Sequence, residues 1–145
     1  MSAASGETIV VGELAVRFLV EPDESGGSVS VFECTVPAAA MMPAPHSHDG
    51  FEETIYGLEG ESTWTVDGET MTVGPAEAIC IKRGAVHGFQ NDGSSSAKFL
   101  AVVSPGRFGP SYFHGVSEIL AAAAGGPPDR DAMADVMRRH GLTPA

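Results

Sequence analysis

Three histidines and one glutamate of the 145-residue chain have the residue types and the spacing of a metal site. His46 and His48 are separated by one residue, and on a β-strand such side chains point to the same face. Glu53 follows after a short Asp-Gly segment that can form a turn, and His87 comes 34 residues later. Three imidazoles and a carboxylate suit iron, nickel, manganese, copper or zinc. We therefore expect the chain to bind one divalent transition-metal ion.

The order of these residues resembles the first sequence motif of the cupin superfamily. In that motif a His-x-His pair is followed by a glutamate, and six further residues separate the glutamate from a glycine, which is Gly60 here. Glu53, and not its neighbour Glu52, has six residues before Gly60, so the resemblance assigns the ligand role to Glu53. The sequence departs from the motif at Ala40, where the family has a glycine.

The second cupin motif accounts for His87. Residues 84–91 read Gly-Ala-Val-His-Gly-Phe-Gln-Asn and match the second half of that motif. Lys82 replaces the usual proline, and the glycine–aspartate opening is replaced by the sequence of residues 74–77. These are turn and strand positions, and all four ligand positions are intact. The resemblance covers about residues 13–104 and is greatest to small single-domain cupins described as quercetin-dioxygenase-like.

The rest of the pattern fits the all-β fold that this resemblance implies, a jelly-roll or double-stranded β-helix barrel. Short segments with alternating apolar residues are separated by turn-forming residues, as is typical of sandwiches and barrels. Asp67-Gly68 between two such segments indicates a type I′ hairpin. The predicted strands are residues 13–20, 28–36, 63–66, 69–73, 78–81 and 98–103.

The chain divides into a flexible lead at residues 1–12, a barrel at 13–115 and a helical tail at 116–145. An Ala- and Leu-rich segment predicts one helix over residues 116–124, and Gly-Gly-Pro-Pro ends it. Asp129 can cap a second helix that ends near His140, before a glycine.

Bulky apolar residues near the motifs are candidates for a substrate pocket, although each can equally be ordinary core. Met41 and Met42 lie shortly before the histidine pair and are the first candidates for flexible residues at the entrance to the pocket. His114 is interpreted as a surface histidine rather than a lid residue. Cys34 and Cys80 lie in strand-like segments and are expected to be buried, inert thiols. The full set of pocket candidates is Met41, Met42, Phe51, Tyr56, Trp64, Phe89 and Phe113, with Phe32 and Phe99 as further possibilities.

Charge and composition exclude some partners. The formal net charge is −11, with 8 basic and 19 acidic residues, and such a surface repels nucleic acids and anionic membranes. Neither a secretory pattern nor an apolar segment of about 20 residues is found, so we expect a cytoplasmic protein.

The resemblance implies a metal-dependent dioxygenase, or a related oxidoreductase, for a small enolic, phenolic or diketone-like substrate. Glu53 could accept a substrate proton. Two alternatives stay open: a metal-stabilised protein that binds a small molecule without turnover, and a cupin isomerase or decarboxylase. The resemblance and open sheet edges also lead us to expect a homodimer, with residues 13–20 at or near its interface.

Overall fold

The computed structural model describes residues 6–40 and 43–145, which form two antiparallel sheets followed by two helices. The strands are β1 (Thr8–Val11), β2 (Leu14–Val20), β3 (Ser30–Val36), β4 (His46–His48), β5 (Glu52–Glu59), β6 (Ser62–Val66), β7 (Glu69–Val73), β8 (Ala78–Ile81), β9 (His87–Gln90), β10 (Ala97–Ser104) and β11 (Leu142–Pro144). A short 3-10 helix spans Pro22–Ser25, and the α-helices are α1 (Pro110–Ala122) and α2 (Arg130–Arg139).

The two sheets face each other around one hydrophobic core. The larger sheet has the order β1-β2-β3-β10-β5-β8, and the smaller one has the order β11-β4-β9-β6-β7. β3 shows how the sequence builds this core: its residues alternate between buried and half-buried along the whole strand. One face of each strand is therefore inside, as a period of two requires. The predicted all-β, jelly-roll architecture with C-terminal helices is confirmed.

The hairpin at Asp67-Gly68 also follows the prediction. Asp67 has φ 47° and Gly68 has φ 84°, and β6 pairs with β7 in register on either side of them. Positive φ at both central residues is the property of a type I′ turn, whose twist matches that of the strands.

The N-terminal segment differs from the predicted flexible lead, because residues 8–11 form β1 and pair with β2. Ile9 and Val11 are buried while Thr8 and Val10 are exposed. An alternation of four residues is too short to distinguish a strand from a loop by pattern alone. As a result β2 is paired on both sides and is not an edge strand. The expected homodimer stays a prediction, and among the described strands the open edges of the larger sheet are β1 and β8.

In the C-terminal tail, α2 has the predicted position, whereas the segments before and after it differ from the prediction. Asp129 accepts hydrogen bonds from the backbone N–H groups of Asp131 and Ala132, and α2 stops before Gly141, which has φ 82°. α1 begins six residues earlier than predicted, with Pro110 in its first turn, a favourable position for proline. After α2, residues 142–144 form strand β11, where the sequence predicts part of a helical tail. Within the described ranges, no helix combines the length and the apolar character needed to cross a membrane.

Candidate metal centre

The three histidines meet between two paired strands of the smaller sheet. His46 and His48 both lie on β4, and His46 is in register with His87, the first residue of β9. One potential ligand atom from each of the three side chains lies within 4.8 Å of the other two. The His48 and His87 side chains are 2% exposed, and His46 is half-buried. The structure therefore brings together three histidines that the sequence separates by up to 41 positions.

Hydrogen bonds to the backbone set the orientation of two of the rings. The Nδ1 atoms of His46 and His87 lie 3.1 Å and 2.9 Å from the carbonyl oxygens of Ala44 and Ala85. A carbonyl oxygen only accepts, so each Nδ1 carries the proton and donates, which leaves Nε2 with a free lone pair. This is the arrangement usual for histidines that bind a metal.

Two ring nitrogens in this cluster are buried and lack a hydrogen-bond partner among the described residues: Nε2 of His87 and Nδ1 of His48. A buried polar atom left unpaired costs about 1–3 kcal/mol, and native structures contain few of them. A metal ion at the centre of the three rings would satisfy the unpaired nitrogen of His87. The donor set and the unpaired Nε2 of His87 fit a divalent transition metal.

Glu53 lies beside the histidines, on β5 of the opposite sheet. Its carboxylate is buried, with Oε1 3.7 Å from Nε2 of His87 and 3.9 Å from Nε2 of His48. Both distances exceed those of hydrogen bonds, so Glu53 faces the rings without being bonded to them. The mutually close ligand group consists of the three histidines, and the role of Glu53 as a fourth ligand stays a prediction.

Glu52 points to the other side of the sheet, as expected for an adjacent strand residue. Its carboxylate forms a two-pronged ion pair with the guanidinium of Arg83 at the surface, including a 2.9 Å hydrogen bond from Nη2. This pairing and the charge of Arg83 lower the pKa of Glu52. The carboxylate that faces the histidines is thus the one chosen from the motif spacing.

Burial changes the protonation of the whole cluster. Two effects lower the pKa of His46 to about 4: burial away from water, which is the larger, and the nearby ring of His87. Burial and the two neighbouring rings lower the pKa of His48 to about 2, and burial also lowers the pKa of His87. Burial raises the pKa of Glu53 to about 7. At neutral pH the imidazoles are therefore uncharged, the form that binds metals.

These shifts predict how acid affects the metal-free protein. Between pH 6.5 and 4.5 the unfolded chain takes up protons on His46 and His48, whereas in the folded chain their pKa values are about 4 and about 2. The lowered pKa of His87 acts in the same direction. Glu53 alone acts in the opposite sense, because its folded form keeps a proton up to about pH 7. The free energy of unfolding of chelated protein should therefore fall as the pH falls from 6.5 to 4.5, by about 1.4 kcal/mol per pH unit for each net proton.

Urea unfolding at several pH values in the presence of a chelator measures this slope, the change in the free energy of unfolding per pH unit. His48→Gln should flatten it, since this substitution removes the histidine with the most strongly lowered pKa. His114→Gln, which changes an exposed histidine, is the matched control. An identical slope in wild type and His48→Gln would show that the protonation of this cluster is not linked to folding.

A narrow, mainly apolar cavity of about 70 Å³ opens beside the histidines. Its walls come from both sheets, from α1 and from the segment before β4. Its lining includes His46, His48, Glu53 and His87, whose side chains lie close to one another. The other lining residues are Val11, Leu14, Val16, Phe32, Cys34, Pro43, Ala44, Trp64, Gly88, Phe89, Phe99, Phe108, Tyr112, Phe113 and Val116.

The predicted pocket residues divide into three groups. Trp64, Phe89 and Phe113 line the cavity, as do the further candidates Phe32 and Phe99. Met41 and Met42 lie outside the described residues.

Phe51 and Tyr56 were assigned to the pocket wrongly. Phe51 is core, 1% exposed, and its ring stacks on that of His48 with centroids 4.5 Å apart. Tyr56 is 40% exposed, because Glu53, Ile55 and Gly57 take the inward positions of β5 and leave Tyr56 on the outer face.

Several lining residues were not predicted. Val11 belongs to β1, which was not predicted as a strand, whereas Leu14, Val16 and Cys34 lie on predicted strands. Tyr112, which the sequence offers beside Phe113 as a further candidate, lies in the first turns of α1. Phe108 joins them, since its ring contacts those of Tyr112 and Phe113 at centroid distances of 4.7 and 5.2 Å. The aromatic residues at 108, 112 and 113 have near-helical spacing, which is the signal that could have found them.

The two cysteines have different environments, contrary to the prediction that both are buried. Cys34 is buried beside the cavity, and burial, together with the charge of Glu53, raises the pKa of its thiol to about 12. It is therefore an inert thiol. Cys80 is exposed, because β8 is an edge strand whose second and fourth residues, Ile79 and Ile81, face inward. His114 is exposed on α1, as interpreted from the sequence.

The fold and the histidine cluster agree with the comparisons to known proteins. The profile of the cupin domain family matches residues 32–103, which include all four predicted ligands. The crystal structure of the polyketide cyclase RemF from Streptomyces resistomycificus is 30% identical in sequence, with a TM-score of 0.61. The match covers 72% of this chain and 77% of RemF. The chain belongs to the cupin superfamily.

Three further proteins share less sequence identity with this chain. Quercetin 2,3-dioxygenase from Bacillus subtilis is 25% identical over 112 residues, which are 77% of this chain, and the chain spans about a third (33%) of that relative's length. Tetracenomycin polyketide synthase protein TcmJ from Streptomyces glaucescens is 25% identical over 79% of this chain and 76% of the relative. A structure from Thermotoga maritima described as a predicted oxalate decarboxylase has a TM-score of 0.64 at 21% identity, which supports the fold alone.

Proposed function

We propose that this chain is a metal-dependent enzyme, a dioxygenase or related oxidoreductase, for a small enolic, phenolic or diketone-like substrate. One observation carries the proposal: three neutral imidazoles and a buried carboxylate lie close together in the wall of a cavity whose other lining residues are mainly apolar and aromatic. Such a cavity, with a few convergent polar groups, is the usual form of a small-molecule site.

The histidines are the proposed metal ligands, and Glu53 is the proposed fourth. A bound divalent ion would supply a Lewis acid with open positions for substrate oxygens. The imidazoles stay neutral at physiological pH, so protons do not compete for them. The backbone carbonyls of Ala44 and Ala85 hold two of the rings in a fixed orientation, which reduces the cost of assembling the site.

Glu53 is the proposed proton acceptor. Its carboxylate is buried at the cavity, 3.7 Å from Nε2 of His87 and 3.9 Å from Nε2 of His48, beyond hydrogen-bond distance of both. An enolic or phenolic hydroxyl that enters the cavity would find this oxygen as a nearby base. General-base catalysis of this kind contributes about 100- to 10,000-fold to a rate.

The cavity walls favour a flat, largely apolar substrate. The rings of Trp64, Phe89 and Phe99 form a mutually packed group with centroids 4.8 to 5.3 Å apart. Aromatic surfaces of this kind hold planar rings by stacking and edge contacts. Among the described lining residues, Tyr112 carries the only hydroxyl, so polar recognition is concentrated at the metal end.

The names of the relatives support the same substrate class. The name of the Bacillus subtilis relative contains quercetin, which is a polyphenol. The names of the two Streptomyces relatives contain polyketide, and polyketides carry ketone and enol oxygens. The similarity to a polyketide cyclase also favours a second candidate, proton transfer without oxidation, as in a cyclisation or isomerisation. Glu53 would serve as base in either reaction.

A substrate panel tests the proposal and separates the two candidates. Protein loaded separately with Fe²⁺, Ni²⁺, Mn²⁺ or Zn²⁺ is mixed with quercetin, with pentane-2,4-dione and with a polyhydroxylated naphthalene. Oxygen uptake and substrate absorbance are followed together. We expect metal-dependent substrate loss with matching oxygen uptake. Substrate loss without oxygen uptake would favour the cyclase-type reaction, and binding without turnover for every metal would favour the non-catalytic alternative.

A further inference from the structure

The C-terminal strand β11 lies directly against the strand that carries two of the histidines. β11 and β4 are antiparallel, with Leu142 opposite His48 and Pro144 opposite His46. Their hydrogen bonding continues beyond the strands: the Asp49 N–H donates to the Gly141 carbonyl at 2.9 Å, and the Ala145 N–H donates to the Pro45 carbonyl at 3.1 Å. The last five residues therefore hold both ends of the histidine strand.

On its other side, β4 forms fewer strand-pairing contacts. Its pairing with β9 consists of one register position, His46 opposite His87, whereas β11 pairs with all three residues of β4. The Gly84 N–H also donates to the His48 carbonyl at 2.8 Å. Without β11, β4 would be an edge strand held by this bond and by its pairing with β9 at His46.

Side chains strengthen this contact. Leu142 is completely buried, and the Thr143 hydroxyl donates to the Asp49 carboxylate at 2.8 Å. A Cβ atom built on Gly141 would lie 3.8 Å from the ring of Phe51, which is the ring that stacks on His48. The tail therefore lies against the backbone of the histidine strand and near the aromatic ring that stacks on the His48 imidazole.

We propose that β11 is a positioning element of the metal centre, and that docking of residues 141–145 and binding of a divalent transition metal are coupled. This inference rests on the proposed metal site. Leu142 is the key positioning residue, because its buried side chain anchors the tail opposite His48. Coupling between two binding events is reciprocal, so a docked tail strengthens metal binding, and a bound metal strengthens docking of the tail.

Titration with Co²⁺ tests the first half of this coupling, with its visible absorption as a signature of ligand geometry. We expect Leu142→Ala to weaken Co²⁺ binding about 10- to 100-fold, the range for changes behind a metal ligand, and to alter the spectrum. Leu142→Met, which nearly keeps the side-chain volume, should restore both. Val73→Ala removes a fully buried group from β7, three strands away from β4, and should destabilise the fold without changing Co²⁺ affinity.

Hydrogen exchange on the unmodified protein tests the second half and needs no variant. Co²⁺ should slow exchange of the backbone amides at Asp49 and Ala145, which bond the tail to the histidine strand. The coupling would be wrong if wild-type protein bound Co²⁺ with no change in the exchange rates of these amides. It would also be wrong if Leu142→Ala bound Co²⁺ with wild-type affinity. In both cases the proposed metal site would still hold. Wild-type protein that binds no Co²⁺ would overturn the metal site and the coupling with it.

Discussion

Replacing His48 or His87 by alanine is expected to reduce bound metal from about one ion per chain to almost none. Both side chains are buried, and each has a ring nitrogen with no hydrogen-bond partner among the described residues. Removing one imidazole leaves two histidines, too few to hold a transition metal tightly without other ligands. His46→Ala should have a similar effect, although this side chain is more accessible.

Elemental analysis of protein that has been offered iron, nickel, manganese and zinc measures this loss. His114→Ala is the matched control, because His114 is exposed on α1 and outside the cluster. It should retain the wild-type metal content. Full metal content in His48→Ala and His87→Ala would mean that the ion binds elsewhere.

Glu53→Gln is expected to keep the fold yet reduce turnover by about 100- to 10,000-fold, the usual contribution of a general base. The amide has nearly the same shape as the carboxyl group and fits the same buried space. It cannot take a proton from the substrate, however, and it is a poorer metal ligand than a carboxylate. Initial rates on the substrate that the panel identifies, together with the metal content of the same sample, give the measurement.

The adjacent residue provides the control. Glu52→Gln removes the ion pair with Arg83 at the surface and should leave metal content and turnover close to those of the wild type. Surface ion pairs typically contribute less than about 1 kcal/mol to stability. If Glu52→Gln lost metal and activity while Glu53→Gln kept both, the assignment of the carboxylate would be reversed.

The sequence predicted the centre of the molecule better than its ends. The period of two along a strand is enough to place His46 and His48 on one face, and the motif spacing was enough to choose Glu53 over Glu52. Asp67-Gly68 marked its hairpin, since few sequences tolerate two successive positive φ angles. These features depend on residues close together in the chain, or on spacing shared with a family.

The features that the sequence did not predict depend on contacts between distant segments. β1 and β11 have four and three residues, and each is a strand because a partner strand and the core stabilise it. Nothing in Leu-Thr-Pro indicates pairing with a histidine strand 94 positions earlier. Short strands of this kind lie below the length at which alternation is informative.

The errors at Tyr56 and Cys80 have a common cause. Each lies in an apolar segment, and apolar character alone does not distinguish the two faces of a strand. On β5 the inward positions belong to Glu53, Ile55 and Gly57, and on β8 they belong to Ile79 and Ile81. Fixing the face from Glu53, as the ligand, would have placed Tyr56 outside.

Anomalous diffraction from crystals of the protein saturated with Ni²⁺ or Zn²⁺ shows directly whether these residues bind a metal ion. We expect one strong peak about 2.0–2.2 Å from a ring nitrogen of each of His46, His48 and His87, with a Glu53 carboxylate oxygen within the same range. A metal-saturated crystal with no peak among the three imidazoles, or with its peak at other residues, would show that they do not form the metal site.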